Sequence, residues 1–304
     1  MSSVLVVGSV AFDSIKTPSG KVERCLGGSA TYFSLAASFF ADVRLVAVVG
    51  ADFTAEDESI LIKRGVDTSG LQRVEGKTFF WSGEYSDNLN EAKTLQTDLN
   101  VFESFNPKIP PAFMDSDFLF LANIDPVLQS NVRKQMKNAQ MVAGDTMNFW
   151  ITGKRKELEE TLKGIDFLLI NDGEARMLGG SNSIPRAAQK ILRMGPHALV
   201  IKHGEYGATA FFKEPGVHPF RAPALPMEEV VDPTGAGDCF AGGFMGYIAS
   251  QLNLSREVLK KALFYGGVMG SFAVEQFGTE RFRNLENKDI EARFQLFREL
   301  SHLD

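Results

Sequence analysis

The stretch Val230-Val-Asp-Pro-Thr-Gly-Ala-Gly-Asp-Cys-Phe-Ala-Gly-Gly-Phe-Met-Gly-Tyr-Ile-Ala249 decides how this chain is read. Two valines feed a turn of Pro233, Thr234 and Gly235, after which the spacing predicts a helix over 238–251. Gly235-Ala236-Gly237 carries no large side chain, so its backbone N–H groups can come close to a ligand. They stand where a helix begins, and that end attracts anions. Asp238, in the first turn, suits the same dipole. Beside phosphates already neutralised by a cation and by amides, it could take a proton from an attacking hydroxyl. Taken alone, a bare GAGD is equally a glycine-rich turn with a capping Asp.

Outward from that segment, short apolar runs alternate with helical spacing along the chain. Val4–Val7, Leu45–Val49, Phe118–Leu121, Gln140–Ala143, Phe167–Ile170 and Leu199–Lys202 each suit a strand covered on both faces, as in parallel sheets. Ser29–Phe40, Arg155–Lys163 and Pro185–Arg193 suit helices between them. Such alternation predicts an α/β domain of three layers, α/β/α, with right-handed crossovers around a mostly parallel central sheet. Residues 77–101 (KTFFWSGEYSDNLNEAKTLQTDLNV) depart from that rhythm. Alternating apolar and polar positions around a turn-rich centre predict an antiparallel hairpin with one wet face. We expect one domain over 1–304, with a small β lid contributed mainly by 77–101.

Composition narrows the function. The 304 residues carry 44% hydrophobic and 23% charged side chains, enough apolar material for a sizeable core. Net charge is −6 with no Lys/Arg block, which argues against a nucleic-acid partner. Two cysteines, Cys25 and Cys239, form no CxxC pair, and the four histidines form no metal-binding pattern. The opening Met1–Gly8 reads as a buried strand and not as a signal peptide. No run approaches the roughly 18 apolar residues of a membrane span. A cytoplasmic location is the default.

The fuller pattern, DPTGAGD followed by small residues and aromatics, resembles the signature of the ribokinase-like (PfkB) family of carbohydrate and nucleoside kinases. No GxxxxGK followed by Ser or Thr occurs, and Gly8 is not followed by a GxGxxG turn, so P-loop and dinucleotide-binding readings fail. The resemblance runs through the chain in family order. Gly8-Ser-Val-Ala-Phe-Asp13 is similar to the family's first strand, which implies that Asp13 binds substrate hydroxyls. Gly27-Gly28 resemble its N-terminal double glycine. Tyr32 stands among the implied substrate contacts, at a position where the family often has Asn. Asn171-Asp-Gly-Glu174 resembles the N-x-x-E motif, implying that Glu174 organises Mg²⁺ through water, as suits a cation that keeps its waters. Lys202-His-Gly-Glu-Tyr-Gly207 resembles a turn beside the nucleotide, with Lys202, Gly204 and Gly207 as contacts. Gly266-Gly267 and Phe277-Gly278 align with the adenine-flanking loop, which brings in Gly267. Asp232 and Thr234 match positions that bind a monovalent cation, K⁺, in several relatives.

The resemblance implies an ATP-dependent phosphotransferase with a ribokinase-like fold, Asp238 as general base and Gly235, Ala236 and Gly237 as anion hole. The acceptor is expected to be a small neutral sugar or cyclitol, with a nucleoside of the adenosine type as the alternative. The segment after Gln140–Ala143, Asp145 to Trp150, lacks the Arg that would pair with an acidic substrate. A non-catalytic binding protein that kept the fold would show damage to the DPTGAGD motif, which is intact. An exposed hairpin sheet with one apolar face also suggests a homodimer through the lid.

Overall fold

The computed structural model describes residues 2–136, 138–251 and 253–301. In chain order its strands are β1 (Ser3–Val7), β2 (Ala11–Thr17), β3 (Gly20–Gly27), β4 (Asp42–Val49), β5 (Asp67–Arg73), β6 (Phe79–Tyr85), β7 (Ala92–Asp98), β8 (Phe118–Leu121), β9 (Met141–Gly144), β10 (Phe167–Asn171), β11 (Ala198–Lys202), β12 (Ala208–Phe212) and β13 (Phe220–Ala222). The helices are α1 (Ser29–Ala37), α2 (Ala55–Ile62), α3 (Pro126–Gln135), α4 (Asn148–Gly153), α5 (Arg155–Leu162), α6 (Asp172–Gly179), α7 (Ile184–Met194), α8 (Ala236–Ala249), α9 (Arg256–Ala273), α10 (Glu280–Arg283) and α11 (Asn287–Ser301).

Among the described residues the strands form two sheets. The large one has nine strands in the order β13-β12-β11-β10-β9-β8-β1-β4-β5. From β5 to β11 every neighbour is parallel, and β12 and β13 add antiparallel strands at one edge. Successive residues of β1 show why the interior strands read as continuous apolar runs. Val4 and Val6 pack into one core with α1, α8 and α9, while Leu5 and Val7 pack into the other with α3, α5 and α7. Both faces of the strand are therefore dry, and no position calls for a polar side chain.

The small sheet has the order β3-β2-β6-β7. Its second half is the hairpin expected over 77–101. The first half, residues 11–27, is a further hairpin that sequence reading did not separate from β1. The small sheet is thus shared between two segments and not built mainly from 77–101. The reason is local: β2 and β3 carry Asp13, Lys16, Lys21, Glu23 and Arg24, and such polar strands lose the apolar signal. β2 pairs in parallel with β6, Asp13 opposite Trp81. This pairing carries Asp13 away from the large sheet and over its C-terminal edge.

Candidate active site

The turn before α8 is built from its buried acid outward. Asp232 is fully buried; its Oδ1 accepts the Thr234 amide at 2.9 Å and its Oδ2 accepts the Gly278 amide at 2.9 Å. Gly235 then enters the left-handed region (φ 74°) as the N-cap of α8. A side chain is excluded there for a second reason: a Cβ would stand 2.4 Å from the ring of Tyr32. Gly235 supplies no capping side chain; the Ala236 amide donates to the Pro233 carbonyl at 3.2 Å, and the Gly237 and Asp238 amides have no side-chain cap. The helix begins two residues before the expected Asp238, which places Ala236, Gly237 and Asp238 together in its first turn.

Asp145, Asn171 and Lys202 follow or end β9, β10 and β11, at the C-terminal edge of the parallel sheet where open α/β folds bind ligands. Lys202 Nζ lies 3.4 Å from Asp145 Oδ2 and 3.4 Å from the Gly237 carbonyl oxygen, so it bridges the sheet edge to α8. Burial alone would push Lys202 down, but Asp145, Glu174 and Asp238 together hold it above its ordinary value. Asn171 and Glu174 cap α6 reciprocally: Asn171 Oδ1 accepts the Glu174 amide and Glu174 Oε2 accepts the Asn171 amide, each at 2.8 Å. Burial and then Asp145 push Glu174 up to about 7, against the pull of Lys202. Asp238 is pushed up to about 8 by burial, then by Asp145, with Asp13 and Glu174 adding and Lys202 opposing. Asp145 just past β9, Glu174 on α6, Lys202 ending β11 and Asp238 on α8 thus influence one another electrostatically.

Asp13 approaches from the small sheet. It is 4% exposed and pushed up to about 8, by burial first and Asp232 second, while a hydrogen bond from the Gly28 amide opposes. Its place depends on the double glycine of the next strand. A Cβ at Gly27 would fall on the Asp13 carboxylate, and one at Gly28 (φ 95°) would stand 2.5 Å from the Ser9 carbonyl oxygen.

Gly204 (φ 57°) and Gly207 (φ 92°) shape the turn between β11 and β12. Gly204 faces the tip of the β6–β7 hairpin, where a Cβ would stand 2.4 Å from Asn90 Oδ1.

Two expected residues lie elsewhere. Gly267 is not in a loop: it sits inside α9 and packs toward Phe297, 3.2 Å from where its Cβ would be. Glycine spacing there serves helix packing. Tyr32 is 1% exposed beneath Gly235, so it supports the turn from below instead of lining the cleft. Past the end of β8, Asn123 accepts the Trp150 ring N–H, and Asp125 pairs with Lys154 and caps the start of α3. Two residues outside the expected set do join the site. Asp145 was visible only as an acid after a strand, and Tyr85, whose hydroxyl meets Thr234 Oγ1 at 3.1 Å, left no signal beyond its aromatic character.

A model of the pfkB family carbohydrate kinase matches residues 1–285. The chain belongs to the pfkB family of carbohydrate kinases. As a pfkB kinase it is an ATP-dependent phosphotransferase with an alcohol group as acceptor. It is 29% identical over 280 residues to a cytidine kinase of Thermococcus kodakarensis, covering 86% of this chain and 97% of that one. It is 25% identical over 291 residues to an inositol 3-kinase of Arabidopsis thaliana, covering 92% of this chain and 76% of that one. The pfkB fold is shared with the solved nucleoside kinase of Methanocaldococcus jannaschii, with a TM-score of 0.77 at 20% identity over 97% of this chain and 99% of that chain. Among the described residues, no helix is long and apolar enough to cross a membrane.

Proposed function

We propose that this pfkB kinase phosphorylates a hydroxyl of a small neutral sugar or cyclitol, with Asp238 as general base. The observation that carries this is the meeting of Asp13 and Asp238. Asp13 stands on β2 of the small sheet and Asp238 in the first turn of α8, segments far apart in the chain, yet Asp13 is among the charges that raise the Asp238 carboxyl. An acceptor whose hydroxyls bind Asp13 can present one of them to Asp238.

The chemistry follows from that placement. In its ionised form, which grows as pH rises toward about 8, Asp238 takes the proton as the acceptor oxygen bonds to the γ-phosphorus and the bond to the ADP oxygen breaks. Charge developing on the transferred group meets the amides of Gly235, Ala236 and Gly237, and such preorganised donors cost no reorganisation during reaction. Lys202 stays charged beside the Gly237 carbonyl and offsets the phosphates. Phosphoryl transfer depends mainly on such positioning and charge stabilisation. The small sheet, standing over the cleft with Asp13, acts as a lid that limits access of water.

The residues also fit the expected cations. No group of three acidic, His or Cys side chains is close enough to chelate a metal among the described residues, which suits Mg²⁺ bound mainly through water and phosphate. Glu174, with one oxygen committed to its cap, would orient that water shell, and Mg²⁺ would supply charge neutralisation of the phosphates. Asp232 and Thr234 would hold K⁺, since each Asp232 oxygen accepts one amide and keeps a second lone pair. The exposed face of β7, with Leu95 half-exposed, supports a homodimer through the small sheet; a monomer by light scattering would count against it.

A nucleoside acceptor is the second reading, favoured by the match to a cytidine kinase over 97% of that chain. The deciding experiment measures ATP consumption over a panel of sugars, inositols and nucleosides. Turnover with neutral sugars or inositols supports the first reading, and turnover confined to nucleosides overturns it.

A further inference from the structure

Tyr85 is the last residue of β6 and belongs to neither hydrophobic core. Its hydroxyl oxygen accepts a hydrogen bond of 3.1 Å from Thr234 Oγ1, across the gap between the small sheet and the turn before α8. Thr234 is no isolated partner. Its amide is bound to Asp232 Oδ1, and it immediately precedes the left-handed Gly235. Displacing the Thr234 side chain therefore pulls on the residue that aims the first amides of α8.

Two observations tie this contact to the reaction. The small sheet is also fastened to the preceding residues from its other hairpin: Thr17 Oγ1 donates to the Val231 carbonyl at 2.8 Å and Ser19 Oγ to the Val230 carbonyl at 3.2 Å. Those contacts grip the backbone before the turn. Tyr85 reaches the turn residue next to Gly235. Further along the same hairpin, Asn90 abuts Gly204 on the far side of the cleft.

We propose that Tyr85 is a positioning residue for phosphoryl transfer: through Thr234 it couples the seating of the small sheet to the shape of the Gly235–Gly237 phosphate hole. This rests on the reading of that turn as the phosphate hole. Seating the sheet over an acceptor and setting the donor side then become one event, which links commitment of the acceptor to readiness of ATP.

The test uses the full chain with Tyr85→Phe, Thr234→Val, the double variant and Thr234→Ser. Amide hydrogen exchange over 79–98 is read without ligand. ATP turnover with Mg²⁺ is read against a pooled panel of sugars, inositols and nucleosides. Tyr85→Phe and Thr234→Val should each speed exchange in β6 and β7 and lower kcat about five- to tenfold, the size expected for one lost hydrogen bond. KM for ATP should move less than kcat. The double variant should be no worse than either single, and Thr234→Ser, which keeps the hydroxyl, should keep the slow exchange of β6 and β7. Additive losses, or unchanged exchange in both single variants, would overturn the coupling whether or not the pool contains the acceptor. Failure of the phosphate-hole reading would look different: ADP with Mg²⁺ would bind Gly235→Ala as tightly as the parent, while the Tyr85–Thr234 non-additivity in exchange persisted.

Discussion

A Cβ on Gly27 would stand 1.9 Å from Oδ2 of Asp13. The two residues lie on paired strands, β3 and β2, and the missing side chain is the space the carboxylate occupies. Gly27→Ala should therefore displace Asp13 and lower kcat/KM for the acceptor by roughly 100-fold or more, as misplacement by about 1 Å can do. Binding of ADP with Mg²⁺, measured by calorimetry, should stay within about threefold, because the amides of α8 are not touched.

Tyr32 yields the opposite expectation. Its hydroxyl is buried with no hydrogen-bond partner among the described residues, and its ring supports Gly235. Tyr32→Phe keeps the ring and removes an unsatisfied polar atom, a change that costs nothing and can add about 1 kcal/mol of stability. Thermal unfolding should show Tm unchanged or raised, and KM for the acceptor should hold. A large rise in KM would return Tyr32 to the substrate contacts.

The Lys202–Asp145 pair has side chains only 15% and 8% exposed. Removing one partner of a buried pair typically costs about 3–5 kcal/mol, because the other charge is left without compensation. Lys202→Met should lie in that range by chemical denaturation, and the double variant with Asp145→Asn should recover much of it. Additive costs would mean that the two side chains do not compensate each other.

Much of the large sheet was legible before any coordinates. Phe118–Leu121 coincides with β8, and the other five expected strands each fall within about three residues of an observed one. Burial on both faces forces apolar runs, and an apolar run survives in sequence as a signal. β2 and β3 were missed because a small, half-wet sheet tolerates Lys, Arg and Glu. The site was legible where chemistry is local: Gly235 to Asp238 and Asn171 with Glu174 are contiguous turns whose function is set by backbone. Asp145 and Tyr85 owe their places to chain crossings that no spacing records. Gly266-Gly267 misled for the converse reason, since paired glycines serve close packing of α9 against Phe240 and Phe297 as well as they serve a loop.

Stability should fall as pH rises, in a defined window. Asp238 ordinarily titrates near 3.8 and in the fold near 8, so the folded state holds its proton more tightly than the unfolded chain does. The stabilising contribution of that proton is complete below about pH 4 and is lost as pH rises toward 8. Asp238→Asn carries no such proton. Its Tm should match the parent near pH 4 and exceed it increasingly up to pH 8. Parallel Tm profiles across that range would rule out the raised carboxyl.

The central claim is that Asp238 removes the acceptor proton beside a phosphate hole. The most direct measurement is kcat of Asp238→Asn with ATP, Mg²⁺ and the acceptor selected from the panel, alongside calorimetric binding of ATP. A fall in kcat of roughly two to four orders of magnitude, the usual contribution of a general base, with ATP affinity preserved, is the predicted result. Turnover within a few-fold of the parent would contradict it.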